Sequence, residues 1–306
     1  MNNLASLKNQ VDTIPIGQFT SQESIRNRAV GLLGKDRALK FLTGITSAVS
    51  TNPSLSECTN TSIFNGALLG ETLNLSPSPQ LGHYYLVPFK KYKIVNGKRE
   101  LDSVTAQFQL GYKGYIQLAI RSGQYKKINV VEVKEGEFTD YDIFNEEYTF
   151  NPIKDYNARK QAKTVGYYAM FEYLNGFKKS LYMSKDEMLD HADTYSSAFN
   201  KKSYADLIEG KIPEKELYKY SSFWYKNFDE MAKKTMLRQL ISKWGIMSTE
   251  MQKAFEADMA ELDDNGKPTY IDNPGDKIPE APITEEPKEN TSEEPKEVKQ
   301  VDINEL

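Results

Sequence analysis

SVTAQFQLGYKGYIQLAIRSGQYKKINVVEV, residues Ser103–Val133, decides the fold class. In its first eight residues Val104, Ala106, Phe108 and Leu110 alternate with polar side chains, the period of a half-buried strand. Gly111–Gly123 (GYKGYIQLAIRSG) then reads as a helix closed by Gly123 at C′. Lys127–Gly136 (KINVVEVKEG) returns to strand. Outward from this block, Tyr84–Val95 pairs with Ser103–Leu110 across the turn signal Asn96-Gly97. Thr164–Leu174 and Phe177–Met183 form a second hairpin around Asn175-Gly176. Hairpins around one crossing helix predict an α+β fold with a mostly antiparallel sheet and its helix on one face.

Helical segments flank this centre. Ala38–Val49 (ALKFLTGITSAV) puts its apolar residues on one face, and Thr61–Leu73 reads as a second helix with Thr61 or Ser62 as N-cap. Ser76–Pro79 (SPSP) ends helical structure. Towards the C-terminus, Ser184 and Glu187 match a capping box, and Trp224–Trp244 carries apolar residues near helical spacing. Residues 264–306 are rich in Pro, Glu, Lys and Thr and hold no aromatic after Tyr270, so the sequence predicts a disordered acidic tail. The expected organisation is an N-terminal helical segment (1–75) making oligomer contacts, an α+β core with C-terminal helices (76–262), and the tail (263–306).

The chain has 306 residues and a formal net charge of −4. That figure averages two unlike parts. Asp263–Leu306 holds 13 acidic and 5 basic residues, leaving 34 basic and 30 acidic in the body, a net of +4. A mildly basic body with an acidic tail suits a polyanionic ligand, although a solvated surface with a solubilising tail explains the same numbers. A single cysteine, Cys58, excludes a disulfide framework, and with no secretory-type N-terminus the expected setting is the cytoplasm. No apolar run approaches the length needed to cross a bilayer.

Catalytic signatures are sparse. The sequence has no GxxxxGK[ST] phosphate loop and no GxGxxG, so no nucleotide cofactor is expected. His83 and His191 stand in no metal-ligand spacing, and Cys58 has no histidine nearby. Glu132-Val133-Lys134, with Asp102 upstream, matches the acidic-x-Lys arrangement of metal-dependent nucleases, where carboxylates hold a divalent ion and lysine assists the attacking water. Alternating polar residues on a half-exposed strand produce the same tripeptide without chemistry.

Cations and aromatics interleave through the middle of the chain. Lys90, Lys91, Lys93, Lys98 and Arg99 fall in the first hairpin. Gln107, Gln109, Tyr112, Lys113, Tyr115, Arg121, Tyr125, Lys126 and Lys127 follow. Single-stranded nucleic acid asks for this mixture: cations displace counterions along the backbone, and flat or amide side chains meet the bases. The competing reading makes the tyrosines core and the lysines guards of an exposed strand edge.

Here the sequence resembles a known family. LNLSPSPQLGHYYLVPF (Leu73–Phe89) resembles the RecT-family segment L-x-L-x-P-x-x-G-x-x-Y-L-V-P, and GYKGYIQLAIRSGQYKKI (Gly111–Ile128) resembles its GYKG-x-I-x-L-A-x-RSG signature. Thr164–Leu174, Met183–Ser196 and Ser221–Ser248 follow in family order, so the resemblance covers about residues 20–262. Where many relatives carry a second arginine before RSG, this chain has Ile120, which removes one candidate phosphate contact.

The resemblance implies ATP-independent binding of single-stranded DNA and annealing of complementary strands in phage recombination, without catalytic residues. It further implies a homo-oligomer, ring or helical filament, working beside a phage exonuclease in the bacterial host. The expected DNA-binding residues are Gln107, Gln109, Tyr112, Lys113, Arg121, Lys126 and Lys127, with Lys233, Lys234 and Arg238 as a second group. A solvated face beside Asp229 and Glu230 is the alternative for that second group. Trp224, Phe228 and Trp244 are expected to pack rather than stack on bases. The N-terminal helices and the hairpin Tyr84–Leu110 are the expected subunit contacts. Two alternatives stay open: a metal-dependent nuclease using Glu132 and Lys134, and a passive single-strand-binding shield.

Overall fold

Three helices open the described chain: α1 (Ile16–Ser21), α2 (Glu23–Leu33) and α3 (Lys35–Thr51), followed by α4 (Asn60–Thr72). A computed structural model describes residues 12, 14–78, 80–95, 98–196, 198–258, 260–262 and 268–270. The expected turn at Asn96-Gly97 lies outside them, and so does the expected disordered tail except for Pro268–Tyr270, which pairs as a short strand with Ala260–Leu262. Phe41 of α3 and Phe64 of α4 meet edge to face at 5.3 Å, and Phe19 of α1 reaches the same ring. The helix expected over Ala38–Val49 lies within α3, and the one expected over Thr61–Leu73 is α4, one residue earlier with Thr59 as N-cap.

The first hairpin is β1 (Tyr84–Val95) with β2 (Lys98–Leu110), antiparallel and in register from Tyr84↔Leu110 to Val95↔Lys98, with a bulge at Lys91/Tyr92. Val104, Ala106, Phe108 and Leu110 are buried, and so are Thr105 and Gln107 between them, so β2 is covered on both faces over 104–108 rather than half-buried. Glycines in α4 create the seat for this hairpin. A Cβ on Gly70 would stand 2.3 Å from the Tyr84 ring, and one on Gly66 2.7 Å from a Leu86 methyl, so the strand packs onto bare helix backbone.

After β2 the chain turns at Gly111 into α5 (Tyr112–Arg121), whose C′ residue Gly123 takes φ +69° as its C-terminal position demands. Next come β3 (Tyr125–Lys134), the hairpin β4 (Phe138–Asp142) and β5 (Glu147–Phe150), α6 (Tyr156–Gln161), β6 (Thr164–Tyr173) and β7 (Lys178–Ser184). β3, β6 and β7 form an antiparallel sheet in that order, while β1–β2 and β4–β5 stand as separate two-stranded units. The strand content is antiparallel as expected, but not one continuous sheet: α5 intervenes between β2 and β3, which do not pair. Arg159 of α6 gives Nε to Glu137 at 2.7 Å, and Glu137 also accepts the Lys134 and Ile153 amides, which pins the β4–β5 unit to the end of β3.

The C-terminal part is α7 (Lys185–Tyr195), α8 (Lys201–Ile208), α9 (Phe223–Lys226), α10 (Phe228–Trp244) and α11 (Thr249–Ala257), with short strands β8 (Ala260–Leu262) and β9 (Pro268–Tyr270). Ser184 and Glu187 form the expected capping box on α7. The helix expected over Trp224–Trp244 is broken at Asn227, whose φ −139° and ψ 55° are not helical. α10 covers one face of the three-stranded sheet with Phe228, Ala232, Met236, Leu237, Leu240 and Ile241, all buried. Tyr167 donates to Asp229 at 2.5 Å, and Tyr173 to the Trp244 carbonyl at 3.0 Å. Trp224 and Phe228 are buried packing residues, as expected. Trp244 is half-buried with the Lys179 ammonium 4.6 Å over its ring. No helix of the described residues is long and apolar enough to cross a membrane.

Candidate nucleic-acid interface

The start of α5 is built on close backbone approach. A Cβ on Gly111 would lie 2.2 Å from the Gly82 carbonyl oxygen, and one on Gly114 2.1 Å from the His83 oxygen. The Gly111 amide donates to that same His83 carbonyl at 2.9 Å. Both glycines of GYKG are therefore steric requirements of the 82–83 crossing, while the residues between them face elsewhere.

Tyr115, Leu118 and Ala119 bury the inner side of α5. Lys113, Ile120 and Arg121 are exposed and Gln117 is half-buried, and their i, i+4, i+7, i+8 spacing sets them in one stripe. Arg121 donates Nη1 to the Leu73 carbonyl at 2.9 Å, capping the end of α4. His83 sits between the two cations of the stripe. Burial first, then the Arg121 and Lys113 charges, lower its pKa and disfavour its protonated form. Ile120 is 54% exposed, so the position where many relatives carry arginine does face outward on this stripe.

Gln107 and Gln109 lie on the opposite face of β2 from its core residues, cross-strand from Val87 and Tyr85. Gln107 is buried and accepts from Gln109 Nε2 at 3.1 Å. Tyr85 meets Phe223 of α9 at 5.5 Å between ring centroids. Tyr85, Gln109, Gly111, Tyr112, Phe223 and Met231, with Glu230 and Lys234, line a cleft beside the foot of the stripe. The fold thus gathers Gln109, Tyr112 and Lys113, with Gln107 beneath them. Tyr85 and Phe223 complete the cleft; their aromatic character was visible in the sequence, their convergence across 138 positions was not.

The remaining expected cations fall into different situations. Lys126 is exposed and paired with Glu172 at 2.7 Å, and Lys127 is exposed on β3. Lys233 is nearly enclosed, 4.7 Å over the Tyr112 ring and bound to Glu230 at 2.7 Å, with Glu132 at 3.7 Å. Lys234 turns inward. Its side chain is 7% exposed, and its ammonium lies 2.8 Å from the Asp258 carboxylate, which is fully buried. Asp258 also accepts from Arg238 at 3.0 Å, the Tyr115 hydroxyl at 2.9 Å and the Leu110 amide at 2.8 Å. Each cation of the second basic group is thus paired with a carboxylate of the fold. Lys234 and Arg238 fasten α10 and the end of α11 to the β2–α5 junction. Burial would raise the Asp258 carboxyl, but the charges of Lys234 and Arg238 and the hydrogen bonds it accepts outweigh this and hold it below the ordinary carboxylate range.

The nuclease-like tripeptide is occupied in the same manner. Glu132 binds Lys134 Nζ at 2.7 Å and accepts from Thr164 at 3.2 Å, while Asp102 pairs with Lys93 at 2.9 Å within the first hairpin. Among the described residues no group of three or more His, Cys, Asp or Glu is placed to hold a metal ion. Cys58 is buried, and burial, then Glu57, pushes its thiol pKa up to about 12, far from a reactive thiolate. His191 is a packing residue beside Tyr195 and Gln239.

The result is an α+β protein with an exposed cationic helix stripe beside a cleft lined by aromatic and amide side chains. The chain belongs to the RecT family, single-strand annealing proteins of DNA recombination, whose family model matches residues 39–270. It is 34% identical over 261 residues to the uncharacterized protein YqaK of Bacillus subtilis (strain 168), covering 81% of this chain and 78% of that one. It is 26% identical over 245 residues to Protein RecT of Escherichia coli (strain K12), covering 79% and 80%.

Proposed function

We propose that this protein binds single-stranded DNA along the α5 stripe and the adjoining cleft, and anneals complementary strands without nucleotide hydrolysis. The observation that carries the reading is the pair of exposed cations Lys113 and Arg121 on one stripe of α5, with Tyr112 and Gln109 in the cleft at its start, where the two glycines of GYKG seat the helix. Cations along phosphates lower the repulsion between two polyanions. A strand already held extended has lost much of its conformational freedom, so pairing starts from a prepared template. Base pairing supplies the specificity.

Repetition of weak contacts across subunits would multiply them into stable binding, which supports an oligomeric working form, ring or filament. The N-terminal segment 1–75 and the first hairpin offer surfaces for this: Leu39 is 66% exposed, and Ile94 and Leu101 on the hairpin are 80% and 52% exposed. The core of residues 76–262 carries the DNA contacts, and the acidic segment 263–306 is an appendage to them. Work beside a phage exonuclease in the cytoplasm of a bacterial host completes the reading.

A salt titration of oligonucleotide affinity tests it. Lys113→Ala should weaken binding for all sequences alike and reduce the slope of log affinity against log salt by about 0.7 per lost phosphate contact. An unchanged slope removes Lys113 from the interface. Affinity without any salt dependence removes the proposed function.

A further inference from the structure

The face of the β3–β6–β7 sheet turned away from α10 carries a cavity that the α5 stripe does not use. It has a volume of about 210 Å³ and is lined by Asn129, Val131, Phe150, Pro152, Arg159 and Tyr168, among others. Alternation places Tyr168 opposite the core residues Tyr167 and Ala169, and Val131 stands cross-strand from it, so the floor is an aromatic ring beside an aliphatic side chain. Phe150 forms a wall, its ring 4.8 Å from Tyr168 and nearly perpendicular to it at 65°. The cavity therefore has a flat apolar lining on two sides.

Its polar lining is Asn129, Arg159 and the carboxylates Glu132 and Glu137, of which Glu132 is paired with Lys134 and Glu137 with Arg159. Arg159 uses Nε and Nη2 on Glu137 and on the Glu132 carbonyl, while Nη1 makes no hydrogen bond to a described residue and the side chain is 37% exposed. Asn129 is exposed, and its amide has no partner among the described residues. Because Glu137 already neutralises Arg159, the cavity presents hydrogen-bond donors and an amide without net positive charge, beside a buried carboxylate. A phosphate gains little there. A neutral planar ring bearing carbonyl and ring-nitrogen acceptors gains stacking and directed hydrogen bonds.

A place for the phosphates lies next to it. Lys127 is two residues from Asn129 on the same face of β3, roughly 6.6 Å along the strand. It stands cross-strand from Glu172, which stands cross-strand from Lys178. Lys126, Lys127 and Lys178 all lower the pKa of that one carboxylate, so the row keeps a cationic excess.

We propose that this cavity takes one nucleobase of a DNA strand whose backbone runs over Lys127 and Lys178, a base-holding site separate from the α5 cleft. The inference rests on the proposed single-strand binding. The test is fluorescence anisotropy with the full chain and two oligonucleotides of equal length, one of thymidines and one with the same backbone but abasic. Phe150→Leu should weaken binding of the thymidine strand about tenfold, in the range of one lost base stack. Asn129→Leu, at an exposed position that leaves the fold intact, should weaken it a few-fold. Binding of the abasic strand should stay unchanged for both. Should Phe150→Leu unfold, as a lowered melting transition would reveal, Asn129→Leu decides. Equal losses on the two strands, or no loss on either, would overturn the cavity while leaving the annealing reading standing. A wild-type chain that binds neither strand would overturn both.

Discussion

Replacing Asp258 by alanine perturbs the most heavily connected buried charge among the described residues. Its carboxylate is 0% exposed and accepts from Lys234, Arg238, Tyr115 and Leu110. Removal leaves Lys234 buried without its counter-charge and strands an amide and a hydroxyl. Breaking a buried pair from one side costs about 3–5 kcal/mol. For a fold of this size each kcal/mol lowers the melting temperature by about 2–4 °C, so Asp258→Ala should melt roughly 6–20 °C below the parent. Differential scanning calorimetry reads this directly. The double variant Asp258→Leu/Lys234→Met removes the buried Lys234–Asp258 pair at similar volume and should recover part of the loss, the rest remaining because Arg238, the Tyr115 hydroxyl and the Leu110 amide still lack their acceptor. It should also keep the parent's salt slope, because the Lys234 ammonium is already neutralised by Asp258.

The same group sets an acid limit. A carboxyl whose folded pKa lies below its unfolded one contributes stability that is complete above about pH 4 and is lost as the pH falls through the folded value. Acid unfolding of the parent should therefore be partly absent in the double variant. A melting loss under 2 °C for Asp258→Ala would refute this account of the network.

Ile120→Arg restores a cation to the exposed stripe of α5; between 50 and 200 mM salt its affinity should fall about 2.6-fold more than the parent's, from one added phosphate contact, and an unchanged slope would separate Ile120 from the DNA path. Gly114→Ala forces a Cβ against the His83 carbonyl oxygen, a backbone atom that cannot swing aside, and should cost about 1–3 kcal/mol or more in chemical denaturation. Labelled single strands incubated with the protein and magnesium should stay full length, and Glu132→Gln should anneal as the parent does; magnesium-dependent shortening that Glu132→Gln abolishes would instead make Glu132 catalytic.

Local signals carried the parts of the fold that local chemistry determines. Alternation marked β2, glycine marked the end of α5, and Asn175-Gly176 marked the β6–β7 turn, where Gly176 takes φ +87°. Ser184 and Glu187 announced a cap that needs only neighbouring residues. What was hidden is what distant partners decide. Lys234 and Arg238 looked like a basic face, because charge is written in sequence and burial is not; only their meeting with Asp258, itself bound to Leu110 at a separation of 148 residues, turns them inward. The break at Asn227 was invisible for a related reason: apolar residues continue on both sides of it with nearly helical spacing. The stripe on α5 was partly legible. Lys113 and Arg121 stood in the sequence, but the part played by the GYKG glycines in seating the 82–83 backbone needed coordinates.

The central claim is that a cationic surface grips the sugar-phosphate chain and leaves bases able to pair. Its most direct measurement is the time course of duplex formation between two complementary oligonucleotides, with and without the full chain, in the absence of ATP. The account predicts that the protein shortens the half-time and that rising salt erodes the gain. Pairing that is unchanged or slowed by saturating protein would contradict it.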